Sequence, residues 1–323
     1  MGEKASIFQG VQVGVEATAG TPVAANKKLL AVSVVPNPRT EADAFKAQGN
    51  KYASFVTLNK EWAEANISGK LTYNEILYLL SSLLSVPTPV QQGGTTAYLW
   101  TFTSNTSGED AGKTLTIEQG DANSAWRSAG MRVSGLEFTF NRNEVSVSGN
   151  AIGKAIETGV ILTSSPTSLT PKPVLPAHLS FYLADTQAGL AGATALTRGF
   201  SLNWALNGKI AHAWPVGQDP VTVESAPTAE AKLKLATDTV GMGLISTMRA
   251  GSTKWVRVKG VGGLIASTYY YTFQIDFPAQ IKDVSDFTDE DNLYLAEYSL
   301  EMVHDATWGK SFQITVTADV ATL

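Results

Sequence analysis

The side chains that could carry acid–base or metal chemistry are few and scattered. The chain has three histidines, His178, His212 and His304, and no cysteine. The histidines lie in different segments, without the short spacing of a metal-binding motif. His304 and Asp305 could form half of an acid–base pair, but no nucleophile motif accompanies them. We expect a turn at this point, and the sequence predicts no catalytic residue, no metal ligand and no cofactor.

Two other segments have the composition of ligand sites. Acidic residues crowd the stretch DVSDFTDEDN at 283–292, and clustered carboxylates are the ligands that Ca²⁺ prefers. The stretch lacks the glycine at the sixth position and the closing glutamate of a calcium loop. Gly260, Gly262 and Gly263 lie between two predicted strands, outside the strand-to-helix setting of a phosphate-binding loop. We expect a solvated loop in the first case and a hairpin turn in the second.

Composition restricts the classes of function. The chain has 323 residues, of which 44% are hydrophobic and 16% charged, and this length is sufficient for two domains with buried cores. A net charge of −5 argues against a general nucleic-acid binder, which is usually basic. The start lacks a basic segment followed by an apolar one, and the most apolar helix candidate, at 76–86, is too short for a membrane span. We expect no membrane association.

The clearest element signal follows a predicted strand at Trp62–Leu71. Thr72 and Glu75 fit a capping box, in which the hydroxyl accepts from the Glu75 N–H and the carboxylate reaches back. Apolar residues then recur at the i, i+3, i+4 and i+7 spacing of one buried helical face, and Pro87 ends the pattern. The sequence predicts a helix over Tyr73–Leu84.

The same order of signals recurs about half a chain later. AEANISGKLT at 63–72 matches AEAKLKLATD at 229–238, and Asp238 takes the place of the capping threonine. A second helix is predicted over Thr239–Arg249, with Gly251 as its stop. Alternating strand patterns surround both helices in similar order. We align 135–143 and 144–150 of the first half with 296–305 and 311–320 of the second.

The stretch SSPTSLTPKPVLP at 164–176 lies between the two halves, and its four prolines are typical of a stiff, extended linker. We expect it to cross between the two domains without being part of either core. We therefore predict a mainly β chain of two tandem β-sandwich or barrel domains, each with one flanking α-helix. The first domain, with an N-terminal arm, covers 1–163 and the second covers 177–323. Unclosed antiparallel sheets leave unpaired edges, and repeated copies could join these edges until a ring closes.

Four stretches carry a resemblance to a known family. They are IFQGVQVGVEATAGTPVAANKKLLAVSVVP (7–36), LNKEWAEANISGKLTYNEILYLLSSLL (58–84), STMRAGSTKWVRVKG (246–260) and LAEYSLEMVHDATWGKSFQITV (295–316). Together they resemble the major tail tube proteins of long-tailed, non-contractile, siphovirus-type bacteriophages. The similarity is one of texture and order, and it covers most of the chain.

The resemblance implies a structural virion protein and not an enzyme. Members of this family form stacked rings, which make the tube for DNA ejection into the host. Three chains of a duplicated member would make one pseudo-hexameric ring. Expected partners are further copies of the chain, the tape measure, distal tail and tail terminator proteins, and double-stranded DNA that passes without specific binding. The expected location is the virion tail, after synthesis in the bacterial host cytoplasm.

Two sets of residues are candidates for these contacts. The segment 36–52 is predicted to be a charged loop that connects stacked rings, so we expect stacking to be sensitive to salt. Its candidate residues are Arg39, Glu41, Asp43, Phe45, Lys46, Lys51 and Tyr52. Glu64 and Glu230 occupy matching places in the repeat and are candidates for the tube lumen. An acidic wall there would prevent adsorption of DNA.

A second class of function stays open. The chain could be a β-sandwich module of a tail fibre or adhesin that binds carbohydrate or another surface. Its seven tryptophans could stack on sugars, but most lie within strand patterns and are expected to pack in the core or between subunits. The duplication and the low charge favour the structural protein.

Overall fold

The computed structural model describes residues 9–216, 219–290 and 292–323. Strands dominate these residues, which confirms the prediction of a mainly β chain, and two α-helices accompany them. The elements of the first half are β1 (Gly10–Val15), β2 (Lys27–Leu29), β3 (Val32–Phe45), β4 (Phe55–Lys70), α1 (Ile76–Leu83), β5 (Val90–Gln91), β6 (Tyr98–Thr103), β7 (Leu115–Gly120), β8 (Ala125–Asn141), β9 (Val145–Gly153), β10 (Glu157–Val160) and β11 (Thr167–Ser168). Those of the second half are β12 (Leu179–Ala184), β13 (Gly199–Asn207), β14 (Ile210–Ala213), β15 (Val221–Glu224), β16 (Thr228–Ala236), α2 (Thr239–Arg249), β17 (Lys254–Ala266), β18 (Tyr269–Val284), β19 (Thr288–Glu290), β20 (Leu293–Met302) and β21 (Gln313–Ala318).

Eight antiparallel strands form a central sheet that runs through both halves. Their order is β3-β4-β9-β8-β13-β16-β20-β18. The halves meet where Leu136–Asn141 of β8 pairs with Ser201–Leu206 of β13. Buried and more exposed residues alternate along the strands, so one face of this sheet points into the core and the other points outward.

The remaining long strands form a second layer on the core side. In the first half β1 pairs with β7, and β7 pairs with the first part of β8. In the second half β12 pairs with β17, and β17 pairs with the first part of β18. Val13 of β1 and Ile117 of β7 line one small void together with Val34 of β3 and Ile67 of β4. In the first half the two layers therefore face each other across the core.

The strand pairing of the first half is repeated in the second. The order β3-β4-β9-β8 corresponds to β13-β16-β20-β18, and β4 and β16 each lead into a helix. β8 and β18 each begin in the second layer and end in the central sheet. Both carry a β-bulge at the crossing, between Val133 and Gly135 in β8 and between Ile281 and Asp283 in β18. A shared irregularity of this kind is a designed feature of a strand, not a defect.

This pairing corrects the strand alignment that was made from sequence. The sequence alignment matched residues 135–143 with 296–305, whereas the structure matches β8 with β18 and β9 with β20. The alignment is wrong by one strand because β6, between α1 and β7, has no counterpart between α2 and β17. β6 pairs with β21 of the other half instead, through Tyr98–Thr103 and Gln313–Ala318.

Helix α1 begins later than predicted but uses the predicted cap. The Glu75 N–H donates to Thr72 Oγ1 at 3.2 Å. The Glu75 carboxylate does not reach back to Thr72; it accepts from the N–H groups of Leu30, Ala31 and Val32 at 2.8 to 3.2 Å. Burial raises the pKa of Glu75, although these three hydrogen bonds oppose the shift. The Glu75 carboxylate thus holds the segment that leads into β3.

Helix α2 has the predicted bounds, Thr239–Arg249, and a different environment. The Asp238 carboxylate accepts from the N–H groups of Val240 and Gly241 at 3.0 and 3.1 Å, as expected for an N-cap. Every residue of α1 is buried, whereas Gly241 and Leu244 are the buried residues of α2. Neither helix is long and apolar enough to span a membrane, within the residues that the structure describes.

The proline-rich segment 164–176 packs closely on the first half. The Tyr73 N–H donates to Lys172 O and the Val174 N–H donates to Leu71 O, both at 2.9 Å. Val174 is only 3% exposed and belongs to the hydrophobic core. Our expectation that this segment stays outside the core is wrong at Val174, because these hydrogen bonds to Leu71 and Tyr73 hold its side chain inward. The domain boundaries at 163 and 177 stay a prediction.

Aromatic side chains join the two halves in one continuous core. The Phe138 ring of the first half lies 5.5 Å from both Trp204 and Phe273 of the second. Trp204 in turn contacts Phe312 edge to face at 5.3 Å. Trp100, Trp204 and Trp255 are buried, as expected for core tryptophans, whereas Trp126 is 43% exposed.

Candidate interaction surfaces

The segment 36–52 is not the loop that the sequence led us to expect. Its first ten residues belong to β3, which pairs with β4 up to Phe45 opposite Phe55. The turn between them contains Gly49 at φ 84°, a conformation that glycine adopts without strain. Two prolines and many charges suggested a loop, but proline is tolerated in an edge strand. We call residues 38–60, which extend beyond the central sheet, the projecting hairpin.

The projecting hairpin is exposed on both faces and carries an apolar tip. Phe45 and Phe55 stack on each other with ring centroids 4.9 Å apart, and Lys51 lies over the ring of Tyr52 at 5.7 Å. The large exposed apolar side chains of the tip are Phe45, Tyr52, Phe55, Val56 and Leu58. Large exposed apolar side chains grouped at one end of a hairpin are typical of an interaction site. A contact made through this tip would depend less on salt than the charged residues of the segment suggested.

Charged residues of the predicted set tie the two strands of the hairpin together. Lys60 pairs with Glu41 at 2.8 Å, and Arg39 pairs with Glu64 at 2.8 Å. Asp43 lies in the same strand as Arg39 and Glu41. These ion pairs are exposed, and such pairs contribute at most about 1 kcal/mol each. They stiffen the hairpin without covering its apolar tip.

A second hairpin, β14–β15, packs against the end of the projecting hairpin that lies next to the central sheet. Trp214, which follows β14, contacts Trp62 edge to face at 5.3 Å, and Lys60 lies 5.5 Å from the centre of the Trp214 ring. Trp62 Nε1 donates to Glu64 at 3.0 Å. This bond, followed by the Arg39 guanidinium, lowers the pKa of Glu64. This end of the projecting hairpin is therefore well supported, whereas its tip is exposed.

The two lumen candidates share the outward face of the central sheet. The register places Glu64 opposite Ile152, and Glu230 between Ala205 and Glu301. This face is not uniformly acidic, because cations alternate with the carboxylates; its position in a tube lumen stays a prediction. This face carries Glu64, Glu137, Glu230, Asp283, Glu297 and Glu301 together with Arg39, Lys70, Lys232, Lys234 and Lys282. The face is polar and close to neutral.

Both ends of the central sheet have open edges. Within the described residues β3 pairs with β4 alone, and β18 beyond Ala279 pairs with β20 alone. Open edges are templates for pairing with another chain. Pro36 and Pro38 remove two N–H donors from β3, so this edge has fewer hydrogen-bonding groups than an ordinary strand.

A buried ion cluster fastens the two halves, and the sequence did not reveal it. Lys209 Nζ lies 2.7 Å from Asp110 and 2.6 Å from Glu224, and the side chains of Lys209 and Asp110 are fully buried. Burial opposes ionisation of Asp110, but hydrogen bonds from Lys209 and Ser85 outweigh it and lower its pKa. Lys209 precedes β14 and Asp110 precedes β7, so no short-range pattern could have joined them.

The segments with the composition of ligand sites have structural roles. Trp308 N–H and Gly309 N–H both donate to Asp305 at 2.7 Å, which confirms the turn expected there. Gly260, Gly262 and Gly263 lie inside β17, where we had expected a hairpin turn. A Cβ at position 262 would meet the Tyr73 ring at 2.9 Å, so the approach of this ring explains the small residue.

The acidic stretch 283–292 forms part of the open edge. Its first residues end β18, and Thr288–Glu290 forms β19, while Asp291 lies outside the described residues. Among the residues that the structure describes, no group of three or more histidine, aspartate or glutamate side chains is placed to hold a metal ion.

Comparisons with known proteins add no relative. Neither a scan of protein-family models nor a search of curated proteins gives a match to this chain. The assignment of a function therefore depends on the surfaces described above and on the sequence resemblance.

Proposed function

We propose that this protein is a structural subunit whose copies close into rings, and that the rings stack into the tail tube of a long-tailed bacteriophage. The observation that carries the proposal is the central sheet. It consists of two four-strand units joined edge to edge, and it ends in open edges at β3 and β18. In this proposal each unit is one of two tandem tube domains.

The contact between the halves supplies a template for the contact between copies. The matched bulges of β8 and β18 make Glu137 correspond to Ser285, the residue that follows the end of β18. The common register to Glu64 and Glu230 makes Asn37 of β3 correspond to Ala205 of β13. Glu137 pairs with Ala205 within the chain. Ser285 of one copy would then lie beside Asn37 of the next copy, in a heterologous contact that closes a ring.

Three copies would complete a ring of six units, as the resemblance to tail tube proteins implies. The outward face of the central sheet would line the channel. This face presents carboxylates beside lysines, and exchange of counterions with DNA phosphates drives binding to basic surfaces. A neutral, polar wall offers little of this attraction, so double-stranded DNA could pass without adsorption. Tape measure, distal tail and terminator proteins would contact the ends of the tube.

Cryo-electron microscopy of the purified, assembled protein tests the proposal. We expect rods of uniform diameter, with three chains in each layer and pseudo-six-fold symmetry. Six full-length chains in each layer, or no ring at all, would refute it. A persistent monomer that binds glycans would support the carbohydrate-binding alternative.

A further inference from the structure

Large exposed apolar side chains mark opposite ends of the central sheet. The projecting hairpin extends from the end where β4 begins. Lys70, Asn141 and Ala236 are the last residues of β4, β8 and β16, and the register places them at the other end. We call this second end the base.

The base carries an apolar patch next to helix α2. The Thr237 N–H donates to Tyr294 O at 3.0 Å, which places the first residues of β20 beside the start of the helix. Tyr294 is 71% exposed, and Phe287 is 59% exposed. We define the base patch as Val240, Phe287, Leu293 and Tyr294, together with the acidic Asp286 and Asp289 beside them.

The hairpin tip and the base patch are complementary in charge. The tip, at 45–56, carries Lys46 and Lys51 and no acidic residue, whereas the segment 286–290 of the base patch carries Asp286, Asp289 and Glu290. Glu290 pairs with Lys234, and Arg142 and Arg198 line a cleft with Leu293, so the acidic side of the patch is the one at Asp286 and Asp289. The two surfaces lie at opposite ends of one chain, so a contact between them is head to tail. A head-to-tail contact that does not close produces an open stack.

Within the described residues each chain offers one tip and one base patch, despite its internal repeat. The second hairpin, β14–β15, is folded back onto the first half through Lys209 and Trp214. The described part of the first half shows no free counterpart of the base patch, because the segment 164–176 covers the start of α1. There Asn74 Nδ2 donates to Thr170 O at 2.6 Å.

We propose that the projecting hairpin of one copy docks on the base patch of a copy in the next layer. The inference rests on the proposed function and names the acceptor surface for stacking. Burial of aromatic side chains supplies the main driving force, and the lysine and aspartate side chains orient the contact.

Site-specific crosslinking tests this contact, and the chain is suited to it because it has no cysteine. The variant Tyr52→Cys/Tyr294→Cys is assembled and treated with a short bismaleimide reagent. We expect a ladder of covalent oligomers on a denaturing gel that continues past three chains, since each copy joins one above and one below. The control Tyr52→Cys/Thr228→Cys places the second thiol at the hairpin end of the sheet and should give no ladder.

The outcomes separate this inference from the proposed function. Tubes without a ladder would overturn the acceptor surface and leave the proposed function intact. A ladder that stops at three would place the contact within a ring, and dimers from Tyr52→Cys alone would indicate a tip-to-tip contact; either result overturns the inference. Failure of the unmodified protein to form rings or tubes would overturn both proposals.

Discussion

At the scale of single residues, Lys209 has a large expected effect on stability. It neutralises two carboxylates at the junction of the halves, and it is fully buried. Removal of one partner from a buried ion pair costs about 3–5 kcal/mol. We expect Lys209→Met to lower the free energy of unfolding by about this amount in urea denaturation.

A matched control separates this effect from a general loss of charge. Lys282 pairs with Glu301 at 2.7 Å on the exposed face of the sheet. Exposed pairs contribute about 0–1 kcal/mol, so Lys282→Met should change little. Equal losses for the two variants would contradict the importance of the buried cluster.

The depressed pKa of Asp110 predicts a dependence of stability on pH. A carboxyl group whose pKa is lower in the folded state stabilises the fold above its unfolded pKa of about 3.9. That contribution is lost as the pH falls through the folded pKa. We therefore expect the difference in unfolding free energy between the wild type and Asp110→Asn to shrink below about pH 4. A difference that is constant from pH 7 to pH 3 would count against a charged Asp110.

At the scale of elements, the two helices should differ in their sensitivity to truncation. Leu80 of α1 is completely buried, and truncation of a buried leucine costs about 2–5 kcal/mol. Met242 of α2 is 44% exposed, so Met242→Ala should cost much less. Thermal unfolding of Leu80→Ala and Met242→Ala compares them. Similar shifts of Tm would show that the matching sequence signals produce equivalent environments, contrary to the structure.

The sequence predicted the elements whose signals are local. Thr72 and Asp238 marked both helix starts, and the spacing of the apolar residues marked the helices themselves. The projecting hairpin was missed because Pro36 and Pro38 resemble loop residues when the edge position of β3 is unknown. The base patch and the buried ion cluster could not be predicted, since each depends on residues that are brought together by strand pairing.

At the scale of the whole molecule, the junction within a chain should be stronger than the proposed seam between chains. The junction adds the Lys209 cluster and the pairing of β6 with β21 to the pairing of β8 with β13. The seam would use β3, which has lost two N–H donors to proline. Dilution weakens contacts between chains but not contacts within one chain, so we expect rings to separate into single chains that keep the junction of their halves intact.

The register of the seam is the most specific consequence of the repeat. If each copy continues the pairing of β8 with β13, Asn37 of one copy lies beside Ser285 of the next. The variant Asn37→Cys/Ser285→Cys should then crosslink into a covalent product that stops at three chains. In the control, Asn37→Cys/Glu137→Cys, position 137 is already occupied by Ala205 of its own chain, so no product between chains should form. A ladder that continues past three would show that these edges join copies in an open series. Product from the control alone would show that copies meet in a different register. A product that closes at three is the result expected if the duplication of the chain sets the size of the ring.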